Sequence, residues 1–159
     1  MTAIHFVVPG KIGGKGRPRA FNSVHGIRTY TPDKTRSDQG IIRHFAMQQM
    51  RGHRLLEGPV ELDIVVFRRV PKSWSQKKRA SAYWVTGKPD VDNTAKLVMD
   101  SLGPVIRDDS QIAILRIARY WHPEREEIHV HVRTLEERAA ADHGTACTEH
   151  GTAQGRAQA

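Results

Sequence analysis

The chain has 159 residues, of which 25 are Lys or Arg and 17 are Asp or Glu, and its pI is about 10.1. This length suffices for one compact domain, and a net charge of +8 favours a polyanionic partner such as nucleic acid. One cysteine excludes an intrachain disulfide framework, and no apolar run approaches the ~20 residues of a membrane span. We therefore expect a cytoplasmic protein that has no membrane partner.

The first half of the chain contains a basic, glycine-rich loop between predicted regular elements. The loop, residues 10–19, has four glycines and four cations and no acid. Glycines let backbone amides approach phosphates, and arginines bind phosphate oxygens with paired hydrogen bonds. A flexible, solvated loop is the alternative interpretation. The candidate nucleic-acid contacts in the loop are Lys11, Lys15, Arg17 and Arg19. The flanking predictions are a strand over 4–8, a hairpin over 20–31 and a helix over 33–50 capped by Asp33.

The second half predicts three more strands and a short basic helix. Alternating apolar residues indicate a strand over 60–70, and residues 112–121 and 127–133 are predicted to pair as a hairpin. The basic helix, over 75–83, is flanked by Trp74 and Trp84. Aromatic rings beside cations can stack on bases, but for Trp84 we expect anchoring to the core. We expect the domain to cover residues 1–134 and the polar tail, 135–159, to be disordered.

The most informative stretch is residues 88–111, in which two pairs of aspartates flank one predicted helix. Asp92 is placed to cap the helix, and Gly103 and Pro104 are placed to end it. Apolar residues at helical spacing predict its buried face. These residues are Val91, Ala95, Val98 and Leu102. Asp92, Lys96 and Asp100 are one turn apart and share the opposite face, so we expect Asp100 to hold Lys96.

The aspartate pairs predict a metal site. If the strand after Asp109 joins the same sheet as the strand before the helix, both pairs can meet at one end of the helix. Carboxylates that close repel one another unless a cation lies between them, and Mg²⁺ prefers such oxygen ligands, with Mn²⁺ as the alternative ion. The candidate ligands are Asp90, Asp92, Asp108 and Asp109. Lys88 and Lys96 are candidate contacts to a nucleic-acid phosphate.

Each motif alone is more typical of structure than of catalysis, because aspartates cap helices and Asp-Asp-Ser is an ordinary turn sequence. The combination is more specific. Lys-Pro-Asp-Val-Asp-Asn-x-x-Lys, then Met-Asp-Ser-Leu, then Arg-Asp-Asp-Ser-Gln closely resembles the RusA-like Holliday-junction resolvases, with a looser resemblance over residues 16–19 and 30–32. Two departures are Thr94, where the family usually has a bulkier apolar residue, and a short segment between Leu102 and Asp108.

The resemblance implies a catalytic centre that depends on Mg²⁺ and is formed by Asp90, Asp92 and Asp109, with Asp108 beside it and Lys96 assisting. It also implies a homodimer that cuts branched DNA, a four-way junction, with paired symmetric nicks. The fold we expect is a single α+β domain in which helices pack on a mixed, twisted β-sheet. Two alternatives stay open: a non-catalytic basic nucleic-acid-binding module, and a nuclease dependent on Mg²⁺ that acts on other branched or single-stranded DNA.

Overall fold

The computed structural model describes residues 2–24 and 26–135, so residues 136–159 of the predicted tail lie outside the described residues. The elements confirm the expected α+β class. The strands are β1 Ala3–Pro9, β2 Arg19–Ser23, β3 Gly26–Tyr30, β4 Val60–Arg69, β5 Ile112–His122 and β6 Glu127–Thr134, and the helices are α1 Asp33–Gln49, α2 Gln76–Ser81 and α3 Val91–Met99.

A four-stranded mixed sheet forms the centre of the domain, with the strand order β1-β6-β4-β5. β4 pairs with β5 in parallel and with β6 antiparallel, while β2 and β3 form a separate hairpin, as predicted. The prediction that β5 and β6 pair with each other is wrong, because β4 lies between them. Alternation of apolar residues predicts which way a strand faces, but it carries no information about which strand lies next to it.

The parallel pairing of β4 and β5 requires a crossover connection, and this connection contains α2 and α3. The chain leaves β4 at the carboxyl end of the strand, passes through α2, and returns along α3 to the start of β5. The beginning of α3 therefore lies beside the carboxyl ends of β4 and β5, and its end lies beside their amino ends. This arrangement decides where each pair of aspartates is placed.

The hydrophobic core lies between the sheet and the helices α1 and α3. α1 buries Ile42 and Ala46, as its apolar spacing predicts, and α3 buries Ala95, Leu97 and Val98. The sheet supplies apolar residues that are almost fully buried, among them Val8, Val60, Leu62, Ile64, Val130 and Val132.

Four predictions about α1 and α3 are corrected. The residue at the N-cap position of α1 is Pro32, so Asp33 lies inside the helix and does not cap it. The corresponding residue of α3 is Asp90 rather than Asp92, and its side chain makes no capping hydrogen bond. Val91 is 42 % exposed and so does not belong to the buried face. Helix α3 ends at Met99, one turn before the predicted stop.

The glycine-rich loop packs against both long helices and is not a freely solvated segment. The amide of Gly13 donates to Asp38 Oδ2 at 2.9 Å, and the amide of Gly16 donates to Thr35 Oγ1 at 3.1 Å, which joins the loop to α1. The amide of Lys15 donates to the carbonyl of Asn93 at 2.9 Å, which joins it to α3. The loop is therefore held at the end of the sheet where α3 begins.

None of the helices in the described ranges has the length and apolar character needed to cross a bilayer.

Gly40 provides a first test of the fold. It lies inside α1, and a Cβ atom added there meets nothing within 4 Å. Glycine in a helix interior costs about 0.5–1 kcal/mol relative to alanine. Gly40→Ala should therefore raise the free energy of unfolding by about this amount, measured by urea denaturation. A lower free energy of unfolding would contradict an unbroken, exposed helix at this position.

Gly14→Ala should have the opposite effect on the free energy of unfolding. A Cβ atom added there lies 2.6 Å from Pro89 Cβ and 3.1 Å from Asn93 Cβ. Overpacking of this kind typically costs about 1–3 kcal/mol, so Gly14→Ala should lower the free energy of unfolding in the same denaturation experiment. Gly40→Ala is the matched control. Equal stability of the Gly14 variant and the parent would mean that the loop does not pack on the start of α3.

Candidate active site

Asp90 and Asp92 lie together at the beginning of α3, and both are exposed. The backbone of Asp90 is extended, and its carboxylate has no hydrogen-bond or ion-pair partner among the described residues. Its carbonyl accepts a 3.2 Å hydrogen bond from Thr94 Oγ1, so the threonine at the divergent family position braces this turn. Lys96 Nζ lies 3.9 Å from Asp92 Oδ2. Two carboxylates and one cation are thus presented to solvent at one helix end.

Arg119 of β5 holds the segment that leads to Asp90. It is only 7 % exposed, and its guanidinium donates to the carbonyls of Val85 at 3.0 Å and Gly87 at 3.2 Å and to that of Pro89. Pro89 follows a cis peptide bond. Our sequence reasoning missed Arg119. A signal was available, because Arg119 lies two residues after Ile117, which packs against the core, and so shares its side of the strand.

Asp108 and Asp109 lie in the turn before β5, where they have different environments. Asp108 caps the 3-10 turn Asp109–Gln111, since its Oδ1 accepts from the amide of Ser110 at 2.9 Å. Hydrogen bonds from the Ser110 side chain and backbone lower the pKa of the Asp108 carboxyl. Gln111 ties the turn to the segment before β4 by donating to the carbonyls of Leu56 and Gly58. The exposed Asp109 carboxylate has no partner within the described residues.

The two pairs of aspartates do not meet within one chain. Pro89 is joined to Arg119, whereas Asp109 precedes Ile112, which pairs with Val60 at the start of β4. The strand between Ile112 and Arg119 spans roughly 23 Å at about 3.3 Å per residue. Consistently, the described residues contain no group of three or more His, Cys, Asp or Glu side chains able to hold a metal ion. Our expectation overlooked that the crossover helix runs antiparallel to both strands.

The start of α3 nevertheless fits a divalent cation. Mg²⁺ is commonly held by one or two carboxylates and keeps water and phosphate oxygens for its other positions, and Asp90 and Asp92 supply this number of carboxylates. Aspartate at an N-cap position usually accepts a hydrogen bond from a backbone amide of the helix, whereas the Asp90 side chain makes no such bond. The assignment of Asp90, Asp92, Asp108 and Asp109 as ligands stays a prediction.

Two of the predicted nucleic-acid contacts line a basic cleft beside this helix end. Lys11 and Lys88 border a cavity of about 370 Å³. Arg68 is almost fully buried there, and desolvation lowers its pKa while the charge of Glu126 opposes the shift. The other cations around the cleft are Lys34 and Arg69, and Glu126 is its acid.

The remaining predicted contacts are placed differently. Lys15 forms a 2.6 Å ion pair with Asp100, so our expectation that Asp100 holds Lys96 is wrong. Arg17 and Arg19 are exposed at the end of the loop and the start of β2. The prediction that Trp84 is anchored in the core is also wrong, because its side chain is 59 % exposed.

Comparison with known proteins adds independent information. A family model described as Endodeoxyribonuclease RusA matches residues 9–133, which include both pairs of aspartates and the glycine-rich loop. The chain is also 33 % identical over 131 residues to a Bacillus subtilis (strain 168) protein described as "Uncharacterized protein YqaN", an alignment that covers 78 % of this chain and 92 % of that one. The chain belongs to the RusA family of endodeoxyribonucleases.

Proposed function

We propose that this protein is an endodeoxyribonuclease that depends on Mg²⁺ and resolves four-way DNA junctions as a homodimer, by paired symmetric nicks. Family membership supports the nuclease activity and the junction substrate. The observation that carries the proposal is the exposed pair Asp90 and Asp92 at the start of α3. Lys96 and the basic cleft lie on either side of this pair. Carboxylates that could bind a metal ion therefore lie beside basic side chains that could bind the phosphate of the DNA backbone.

The residues at this end have separate roles in the proposed hydrolysis. Asp90 and Asp92 would hold the Mg²⁺ ion, which when bound lowers the pKa of a coordinated water and offsets charge on the phosphate. Lys96 would place a positive charge at the phosphate, and its side chain is 61 % exposed, so DNA can reach it. Arg119 acts as a positioning residue, because it fixes the carbonyls that precede Asp90.

Asp109 would enter this centre from a second copy of the chain. It lies too far from the Asp90 of its own chain to share an ion, yet its carboxylate is exposed and unpartnered in the described ranges. In a twofold dimer whose copies run antiparallel, each Asp109 comes near the Asp90 of its partner, and symmetry forms two such centres. Two centres related by a twofold axis suit a four-way junction that is cut at two symmetric positions.

The open edge of β5 is the surface we propose for this dimer. Over Ala113–Arg116, β5 pairs only with β4 among the described residues, and Ile114 and Leu115 are 37 % and 43 % exposed. Antiparallel pairing centred between these two residues would set position 109 of one copy level with position 120 of the other. Position 120 follows Arg119, which holds the segment that leads to Asp90.

Paired variants test both the chemistry and its division between chains. Asp90→Asn and Asp109→Asn should each abolish nicking of a mobile four-way junction in Mg²⁺ while leaving junction binding largely intact, because they remove ligand charge and no cation. Mixed dimers of the two variants, isolated with two different affinity tags, should recover nicking of one strand. One of their two centres then combines an intact Asp90 with an intact Asp109 from different chains.

The matched control is Asp33→Asn, an exposed acidic residue of α1 that is paired with Arg36; it should nick at the parental rate. Parental nicking by Asp90→Asn would overturn the catalytic assignment. Inactive mixed dimers would overturn the shared centre and leave the role of Asp90 standing.

The two alternatives give different outcomes. A non-catalytic binding module would bind DNA equally well without Mg²⁺ and would nick neither junctions, forks, flaps nor linear duplex in Mg²⁺ or Mn²⁺. A nuclease for other branched DNA would cut forks or flaps faster than four-way junctions. These substrates must be compared at matched salt, since affinity driven by phosphate contacts changes steeply with salt concentration.

A further inference from the structure

We propose that an exposed aromatic surface next to the start of α3 binds an unpaired nucleobase of the DNA substrate. This inference rests on the proposed function, because it assumes that the partner is DNA. We call the surface the aromatic platform. It consists of Trp74, Tyr83, Trp84, Tyr120 and Trp121, and it borders a cavity of about 600 Å³.

The outer part of the platform is a group of rings with large exposed surfaces. Trp84 lies over Tyr120 with ring centroids 5.0 Å apart and an interplanar angle of 32°, and Tyr83 packs edge-on against Trp84 at 4.8 Å. Tyr83 and Trp84 are each 59 % exposed. Rings of this size are normally buried, so the exposure of two neighbouring ones indicates a surface that binds a partner.

The inner part of the platform combines aromatic rings with a cation. Lys78 Nζ lies 4.1 Å from the ring centroid of Trp74, which packs edge-on against Trp121 at 5.0 Å. Helix α2 carries Lys78, and Ser75 caps this helix by accepting from the amide of Lys78. An ammonium group is therefore held directly beside the rings, where it can pair with a phosphate next to a stacked base.

The platform is continuous with the proposed active site at the start of α3. Residues 83–85 run along the edge of β5, with the amide of Trp121 donating to the carbonyl of Tyr83 at 2.8 Å and the amide of Val85 donating to that of Arg119 at 3.1 Å. Gly87 and Trp121 border both the aromatic cavity and the basic cleft. A base on the platform would thus have its phosphates beside the cleft, on the side where Asp90 lies.

The charges around the platform favour a nucleotide over a second copy of the same surface. Residues 71–89 contain five cations and no acid. Two such surfaces facing each other would repel, whereas a nucleotide offers a ring to the aromatic side chains and a phosphate to the cations. An unpaired base is required because base pairs in a continuous duplex cover both faces of each ring. The cations are Lys72, Lys77, Lys78, Arg79 and Lys88.

The test measures binding in the Asp90→Asn background, so that no arm depends on cleavage. The probes are a four-way junction, a duplex with a short single-stranded gap, and the same duplex without the gap. Trp84→Ala should weaken binding to the junction and the gapped duplex by roughly 5- to 150-fold, the range for loss of one base–aromatic stack, and should leave binding to the continuous duplex unchanged. Trp84→Phe should retain most of the affinity.

Two further measurements complete the design. A 2-aminopurine base in the gap should be quenched by the Asp90→Asn chain and should regain fluorescence with the additional Trp84→Ala change. Met47→Ala is the matched control, since Met47 is a similarly exposed apolar residue (58 %) on α1, away from the platform; it should change neither affinity nor quenching.

Three outcomes for the Trp84→Ala variant would overturn the platform. The first is unchanged affinity for gapped DNA, and the second is an equal loss of affinity for the gapped and the continuous duplex. The third is a smaller oligomeric mass than the parent by light scattering, which would make the surface an interface between copies. A parent chain that never nicks, together with selective loss on gapped DNA, would instead overturn the proposed nuclease and support the platform.

Discussion

The parallel pairing of β4 with β5 is the constraint on which the other features depend. Parallel neighbours cannot be joined by a tight turn, so the chain between them returns through α3, antiparallel to both strands. The residues at the start of α3 are thereby placed at one end of the sheet, and the turn between α3 and β5 is placed at the other. Asp90 and Asp109 are close in sequence and lie at opposite ends of the domain for this reason.

Buried polar contacts hold the end that carries Asp90. Arg119 is enclosed by the fold and donates to three carbonyls of the incoming segment, and leaving a buried guanidinium without partners would be costly. The glycine-rich loop closes on the same segment because Gly14 has no side chain to keep it away from Pro89. An otherwise irregular stretch is therefore fixed without occupying the carboxylate of Asp90, which leaves that group available to a ligand.

The sequence allowed prediction of those features that depend on local pattern. The apolar spacing of Ala95 and Val98 indicated the buried side of α3, and the basic helix predicted over 75–83 is found as Gln76–Ser81. Strand neighbours could not be predicted, since the alternation in β5 and β6 is equally compatible with pairing to β4 or to each other. The exposure of Trp84 was also inaccessible, because a tryptophan beside a basic helix suits both a core and a surface, and only the edge position of β5 distinguishes them.

The proposed metal centre is complete only when two chains come together. Binding of Mn²⁺, followed by the EPR signal of the free ion, tests this without DNA when it is measured over protein dilutions that would dissociate the proposed dimer. Mn²⁺ affinity should fall as the proposed dimer dissociates, and Asp109→Asn should lower the affinity of the concentrated protein to the value of the diluted parent. Monomers that bind Mn²⁺ as tightly as the dimer would contradict it.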